Sequence, residues 1–201
     1  MKRFFGFFTA ACLFLAAFAI LPIHGESRVY DSVIRLHVIA NSDNEGDQAL
    51  KLSVRDAVLD TTSELLRDAK TRDEAEEILR NNLERIERVA KETVQKNGYR
   101  NAVSVSFGME DYPTREYEEL AFPAGEYLSL RVMIGEAEGQ NWWCVLFPPL
   151  CLSAATDKKE AEECFLAAGL TEEQYRIITD SDNTKYKLRF KILEVVEELF
   201  G

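Results

Sequence analysis

The pattern of apolar and polar positions predicts a strand followed by a helix near the start of the main domain. Residues 33–40 are a short run rich in β-branched side chains, and the polar run 41–47 follows them. This combination is typical of a strand that ends in a turn. From Leu50 to Leu66 the apolar residues recur every three or four positions, which predicts an amphipathic helix. We expect Asp47 to be the N-cap of this helix.

A second amphipathic helix is predicted to run from Thr71 to the Asn97-Gly98 pair. Thr71 and Glu74 have the spacing of a capping box, in which the two side chains satisfy free backbone groups of the first turn. Glycine after asparagine is a common helix end. Two amphipathic helices in succession need a shared apolar surface, and the flanking strands supply it.

Three more segments have the pattern of strands. Residues 102–108 and 127–135 alternate between apolar and polar side chains, and residues 142–147 are continuously apolar. Residues 109–125, rich in Glu and Tyr, are expected to form a long loop with a β extension. The pair Pro148-Pro149 ends the last strand because proline donates no backbone hydrogen bond.

The C-terminal part is predicted to be helical. Residues 157–168 form a short helix that Gly169 ends, and Thr171 with Gln174 has the spacing of another capping box. The apolar residues of 186–199 fit either a strand or a helix, and we favour the helix. The whole pattern predicts one α+β domain: a mixed or antiparallel sheet of about four strands, two long helices packed on it and a helical C-terminus.

The first 25 residues have the layout of a secretory signal sequence. Lys2 and Arg3 precede an apolar run of 18 residues that Pro22 closes. The run is long for a cleaved signal and short for a spanning helix of about 20 residues, so cleavage and permanent anchoring both stay open. Cleavage after Gly25 would place Ile23 at position −3, where a small residue is preferred. The predicted division is a signal or anchor at 1–25 and an extracytoplasmic domain at 26–201.

The charge of the chain limits its partners. Removing residues 1–25 lowers the basic residues from 24 to 22 against 35 acidic ones, so the formal charge moves from −11 to about −13. Such a surface repels phosphate backbones and anionic lipid. We therefore expect neither nucleic-acid binding nor strong membrane-surface binding by the mature domain.

The cysteines and histidines allow few metal or redox sites. Of four cysteines, Cys12 lies in the export segment, and Cys144 and Cys151 flank the Pro-Pro turn. The sequence leaves two alternatives for Cys144 and Cys151, a disulfide between them or two free thiols. Cys164 is expected to be a small buried residue. His24 and His37 are the only histidines, and no zinc-type spacing occurs. We expect no cofactor and no metal.

The acidic loop after the first strand resembles half of a calcium site. With Asn41 at position 1 of an EF-hand loop, Asp43, Glu45 and Gly46 fall at positions 3, 5 and 6. Position 12 is then Leu52, where a bidentate Glu is needed, so the match fails. A solvated turn that caps the next helix explains the loop better.

A catalytic interpretation would start from Arg35, His37, Asn41 and Asp43. Arg35 and His37 lie on one face of the first strand, and Asp43 follows in the loop, so a hydrolase could use His37 with Asp43. No nucleophile motif or phosphate-binding loop accompanies them. The alternative, which we favour, is that Arg35 and His37 lie on a partly exposed sheet face and pair with acids of the helices.

Two segments together resemble a known family. Residues 33–43 (VIRLHVIANSD), continuing as DQALKL at 47–52 and VRDAV at 54–58, resemble the opening of stage II sporulation protein R. The segment 141–151 (NWWCVLFPPLC) is similar to the second signature of that family. The order and spacing of both, behind an export segment, extend the resemblance from about residue 30 to the end of the chain.

The resemblance implies a signalling protein rather than an enzyme. Members are exported from the forespore into the space between forespore and mother cell, where they activate a membrane-embedded aspartic protease that processes a sigma-factor precursor. The resemblance implies no catalytic residues. It makes two sets of residues candidates for receptor contact or for specifying the fold, namely Arg35, His37, Asn41 and Asp43, and Trp142 and Trp143. From it we expect Arg35→Ala and His37→Ala to fold normally and to lower activation.

Overall fold

The computed structural model describes residues 26–117, 120–148 and 158–179. The helices, in chain order, are α1 (Glu26–Ser32), α2 (Glu45–Leu65), α3 (Arg72–Asn81), α4 (Leu83–Lys96), α5 (Lys158–Ala167) and α6 (Glu172–Thr179). The strands are β1 (Ile34–Ile39), β2 (Val103–Tyr112), β3 (Arg115–Tyr117), β4 (Leu120–Phe122), β5 (Gly125–Ile134) and β6 (Asn141–Phe147). Among these residues, no helix is both long and apolar enough to cross a membrane; the apolar run 4–21 lies outside them.

Four strands form one mixed sheet in the order β2-β5-β1-β6. β1 pairs with β5 in parallel and with β6 in antiparallel orientation, and β2 pairs with β5 in antiparallel orientation. The short strands β3 and β4 form a separate hairpin. This arrangement confirms the predicted α+β fold with a mixed sheet of four strands.

The sheet separates two apolar clusters, because alternate residues of each strand point to opposite faces. One face, which we call the helical face, carries Ile34, Leu36 and Val38 of β1 and packs against α2, α3 and α4. Its partners on the helices include Leu50, Val54, Val58, Leu79, Ile86 and Ala90. These helical positions are the apolar stripe that the sequence predicts, so the pattern identifies the core correctly.

The opposite face carries Arg35 and His37 of β1 and is covered by α1, the β3–β4 hairpin, α5 and α6. Apolar and aromatic side chains from these elements form a second buried cluster, which includes Val29, Tyr112, Phe122, Tyr127, Phe165 and Ile178. Both sides of β1 are therefore covered, and all six of its residues are buried. The continuous burial explains why this strand is a run of β-branched residues.

Two predictions about the helices are wrong in detail. The N-cap of α2 is Asn44, whose Oδ1 accepts the backbone N–H of Asp47 at 2.8 Å, so Asp47 is the third helical residue. The predicted helix 71–97 is interrupted at Asn82. Asn82 leaves helical geometry at ψ 11°, and its Nδ2 donates to the carbonyl of Ile78 at 2.8 Å. An asparagine that bonds to the preceding turn competes with the helix in this way.

The segment 109–125 is mostly strand rather than loop. β2 continues to Tyr112 and the β3–β4 hairpin follows, so only the predicted β extension is correct. The capping box at Thr171 is confirmed, since Thr171 and Gln174 bond reciprocally. At Thr71 the cap is confirmed, because the Thr71 hydroxyl accepts from the Glu74 N–H, but the Glu74 carboxylate accepts from the N–H of Lys70 instead of that of Thr71. The predicted helix at 186–199 lies outside the described residues.

Candidate functional site

The two signature segments, about a hundred residues apart in sequence, are neighbouring strands. β1 lies between β5 and β6, and in the antiparallel β1–β6 pair His37 is opposite Trp143 and Val38 is opposite Trp142. Side chains of directly opposed residues lie on the same face of a sheet. Trp142 is therefore on the helical face, and Trp143 is on the opposite face beside His37.

On the helical face, Trp142 connects β6 to α2. The guanidinium carbon of Arg55 lies 4.1 Å from the centroid of the Trp142 ring. Arg55 also forms an ion pair with its neighbour Asp56 at 2.7 Å. Both Arg55 and Trp142 stay half-buried, so this stack lies at the margin of the core and part of the indole reaches solvent.

Arg35 is enclosed in the second cluster, with no exposed surface. Its Nε donates to the carbonyl of Cys144 at 3.1 Å, across the β1–β6 pair. Its guanidinium carbon lies 4.4 Å from the ring centroid of Tyr112, 4.9 Å from that of Phe122 and 5.0 Å from that of Tyr127. Three aromatic faces around a cation stabilise it electrostatically. The burial of Arg35 argues against direct receptor contact and against normal folding of Arg35→Ala.

His37 is also buried, with 4 % of its surface exposed. Its Nδ1 lies 2.7 Å from Glu110 Oε1 and its Nε2 lies 2.9 Å from Asn141 Oδ1. Its ring is stacked on Trp143, with the centroids 3.6 Å apart and 18° between the planes. We call His37, Glu110, Asn141 and Trp143 the histidine cluster. The acid that pairs with His37 belongs to β2, not to a helix, which corrects the sequence interpretation.

Glu110 is ionised more readily than an exposed glutamate. Burial of its carboxyl raises its pKa, but the hydrogen bond from His37, the nearby Ser129 hydroxyl and the charges of His37 and Arg131 outweigh burial, and the net pKa is lowered. Arg131 Nε lies 3.7 Å from the same Oε1. The sequence patterns did not predict a role for Glu110. When β2 is extended to Tyr112, Glu110 lies on the same face of the strand as Ser104 and Ser106. This shared polar face is the sequence signal that could have identified Glu110.

Asp47 organises the loop that follows β1. Its Oδ2 accepts hydrogen bonds from Asn41 Nδ2 and Ser42 Oγ, both at 2.7 Å, and from Asn44 Nδ2 at 2.8 Å. The bonds from Asn41 and Ser42 lower the pKa of Asp47, against a smaller opposing effect of burial, and Asn44 lowers it further. Asp47 thus stays ionised beside the N-terminus of α2, where the helix dipole favours a negative charge.

Asn41 and Asp43 join this loop to the one between β5 and β6; we call residues 41–44 and 135–140 the loop pair. Asn41 Oδ1 accepts the N–H of Glu136 at 3.0 Å, and Asp43 Oδ1 accepts the N–H of Gln140 at 2.7 Å. Gly135 has φ +60°, and a Cβ there would lie 2.0 Å from Asn41 Oδ1. The close approach of the two loops therefore requires glycine at this position.

Lys51 attaches the loop pair to α2. Its ammonium donates to Gln48 Oε1 at 2.7 Å and to the carbonyl of Gln140 at 2.9 Å. Burial lowers the pKa of Lys51, the charge of Asp43 opposes this shift, and the charge of Arg55 adds to it. The polar residues of the first signature are consequently engaged within the chain, although Asp43 remains exposed to solvent.

The geometry does not bring His37 and Asp43 together as a catalytic pair. The ring nitrogens of His37 bond to Glu110 and Asn141, whereas the carboxylate of Asp43 bonds to the backbone of Gln140. A general base needs hydrogen-bonding reach to its orienting acid and to a substrate. Within the described ranges, no group of three or more His, Cys, Asp or Glu side chains is placed to hold a metal ion.

Cys144 on β6 is disulfide-bonded and almost fully buried. Cys12, Cys151 and the side chain of Cys164 lie outside the described part of the chain. The pairing of Cys144 with Cys151 therefore stays a prediction, which mass mapping of the unreduced protein tests.

Comparison with known proteins supplies the family. The chain matches the family model described as Stage II sporulation protein R over residues 30–157, a range that includes both signature segments. The chain belongs to the stage II sporulation protein R family. It is 36% identical over 187 residues to Stage II sporulation protein R of Bacillus subtilis (strain 168), an alignment that covers 85% of this chain and 83% of that protein. No solved structure matches the chain significantly. The family supports a role in sporulation.

Proposed function

We propose that this chain is an exported sporulation signal that activates a membrane-embedded aspartic protease, which then processes the precursor of a mother-cell sigma factor. The observation that carries the proposal is the match to the stage II sporulation protein R family across both signature segments. In this proposal the chain is made in the forespore and acts in the space between forespore and mother cell.

The sequence supports export and action in solution. Two cations and an apolar run precede an acidic domain with a formal charge near −13, from 22 basic and 35 acidic residues. Such a domain is not attracted to anionic lipid. Attraction to the receptor would then depend on a protein surface rather than on the membrane.

We propose that the domain acts by binding and not by catalysis. His37, the one histidine of the mature chain, is buried with both ring nitrogens engaged. A stacked and doubly bonded imidazole supports a structural role, because it has no free nitrogen to accept a substrate proton.

The receptor surface that we propose includes the solvent-facing parts of Trp142, Trp143, Asn41 and Asp43. Trp142 and Trp143 are half-buried, as is Asn41, and Asp43 is exposed. Half-buried tryptophans are frequent anchors of protein interfaces. Arg35 and His37 would act indirectly, by holding β6 and its tryptophans in place.

The test is co-expression of the exported chain with the sporulation aspartic protease and the sigma-factor precursor. We expect precursor cleavage with the exported chain and none with a form that lacks residues 1–25 and stays in the cytoplasm. Equal cleavage with and without the exported chain would contradict the proposal.

A matched pair of variants tests the contact surface. Trp142→Ala should reduce cleavage, and Leu166→Ala should not, since Leu166 is exposed on α5, which covers the opposite face of the sheet from Trp142. The thermal midpoints of both variants are measured to exclude loss of folded protein. Equal activation by the two variants would remove Trp142 from the contact surface.

A further inference from the structure

The outer edge of β2 is long and regular. Among the described strands, β2 is the last on one side of the sheet, and all ten of its residues pair with β5 without a shift in register. The uncharged part, residues 103–109, extends over about 20 Å at the usual rise of a strand.

The backbone pattern shows which groups point outward. The N–H of Gly135 donates to the carbonyl of Ala102 at 2.8 Å, so these two residues form a hydrogen-bonded pair of the ladder. In an antiparallel pair, residues that bond to the partner alternate with residues whose backbone faces away. Ser104, Ser106 and Gly108 therefore bond toward β5. The outward-facing N–H and C=O groups belong to Val103, Val105, Phe107 and Met109.

This edge lacks the features that usually protect one. Residues 103–109 contain no charge and no proline. The first charged side chain, Glu110, is bonded to His37 on the opposite face of the sheet. Across the described ranges, no other strand pairs with this edge. Natural proteins protect exposed edges with charges, prolines or bulges, so an unprotected one is a template for another chain.

The side chains along the edge add an apolar surface. Val105 and Phe107 are half-buried against the main core, and Met109 on the same side of β2 is 54% exposed. The guanidinium carbon of Arg80 lies 4.9 Å from the ring centroid of Phe107 and covers part of that ring. An added strand would place alternate side chains beside Val105 and Met109 while its backbone bonds to the edge. Strand addition uses this combination, with main-chain bonds for affinity and side-chain contacts for specificity.

We propose that residues 103–109 of β2 bind an extended segment of the protein that this chain activates, by addition of one strand to the sheet. The proposal rests on the proposed function for the identity of that protein. The segment should carry apolar residues at alternate positions, and it should be neutral or basic, because this chain has a formal charge of −11 and about −13 without residues 1–25.

A second copy of the chain fits this edge less well. Two acidic domains would repel each other, and pairing of two seven-residue edges buries less than the roughly 1,200 Å² of a stable interface. A flexible segment of a larger partner avoids both costs, since its other contacts add to the affinity.

The test compares Met109→Pro with Met109→Gln in the co-expression assay. Proline removes the outward N–H and keeps the ladder to β5, since the amide of Met109 faces away from that strand. Glutamine keeps the N–H and removes the same exposed apolar side chain. We expect Met109→Pro to lower precursor cleavage about tenfold below Met109→Gln, the effect of one lost hydrogen bond on binding. Val105→Lys, which adds a protective charge to the edge, should act in the same direction if Met109→Pro fails to fold.

Photo-crosslinking identifies what lies on the edge. A crosslinking amino acid at position 109 should capture the protease, and one at position 166 on α5 should not. Capture of a second copy from position 109, or full activation by both Met109→Pro and Val105→Lys, would overturn the proposal. Failure of the unmodified chain to promote cleavage would instead overturn the proposed function, so the two outcomes are distinguishable.

Discussion

Replacement of Arg35 with alanine should destabilise the domain severely. Arg35 is fully buried, and its Nε donates to the carbonyl of Cys144 at 3.1 Å. Its guanidinium carbon lies within 5.0 Å of the ring centroids of Tyr112, Phe122 and Tyr127. Truncation at Cβ removes the hydrogen bond and the cation–π contacts and leaves a cavity between the sheet and the hairpin.

The magnitude follows from these losses. A hydrogen bond that involves a charged group contributes about 1.5–3 kcal/mol, and a desolvated cation–π contact contributes about 2 kcal/mol. Truncation of a large buried side chain costs about 2–5 kcal/mol through the cavity. Because these terms overlap, we expect a loss of about 3–5 kcal/mol in the free energy of unfolding. For a domain of this size the loss lowers the thermal midpoint by roughly 6–20 °C.

The assay is thermal unfolding of the purified domain, followed by circular dichroism, with Arg35→Met as the matched control. Methionine fills much of the same volume without a charge, and buried charged groups are often replaced by apolar ones at little cost. Arg35→Met should therefore lose less than half as much stability as Arg35→Ala. If Arg35→Ala lowered the midpoint by less than about 2 °C, the side chain would not be an integral part of the core, and direct receptor contact would return as its role.

Two further predictions concern the pH dependence of stability and the geometry of the loop pair. The pKa values of Glu110 and Asp47 are lowered in the fold, so the stability that these carboxylates give the domain is complete above the ordinary values of 4.5 and 3.8 and is lost as pH falls through the lower folded values. The thermal midpoint of Glu110→Gln should therefore lie below that of the unmodified domain near neutral pH, and the difference should shrink below about pH 4.5. A difference that stays constant with pH would contradict the lowered pKa. Gly135→Ala should lower the thermal midpoint more than Gly98→Ala, because both glycines have positive φ but only a Cβ at position 135 meets Asn41. Hydrogen exchange in residues 135–140 should rise only in Gly135→Ala. Equal effects of the two substitutions would exclude the steric explanation.

The histidine cluster connects His37 to Trp143 of the second signature segment. Trp143 is stacked on His37, and Arg115 of the hairpin lies 5.3 Å from its ring centroid. A residue that positions Trp143 can affect receptor binding without touching the receptor. Loss of activation by His37→Ala would therefore need a measurement of folded protein before it is assigned to contact.

Local patterns predicted the elements of this fold well. The β-branched run at β1, the helical stripe from Leu50 to Leu66 and the helix caps at Thr71 and Thr171 are all properties of short segments, and the structure has each of them. Capping and periodicity depend on neighbours within a turn or two, so sequence alone carries them. The wrong predictions at Asp47 and Asn82 also have a local cause, because several neighbouring residues there can cap or interrupt a helix.

The roles of Arg35 and His37 depended on contacts between distant segments. A cation on a strand is normally expected at the surface. Arg35 is instead buried, because the hairpin, α1, α5 and α6 cover that face of the sheet and aromatic rings of β2, β4 and β5 surround its guanidinium. Glu110 could not be paired with His37 before β2, β5 and β1 were placed side by side. The sequence alone thus predicted the strands, the helical stripes and the family, whereas the export segment stays a prediction. Only the tertiary structure showed that the two signatures form one strand pair, because strand order depends on long-range pairing that no local pattern encodes.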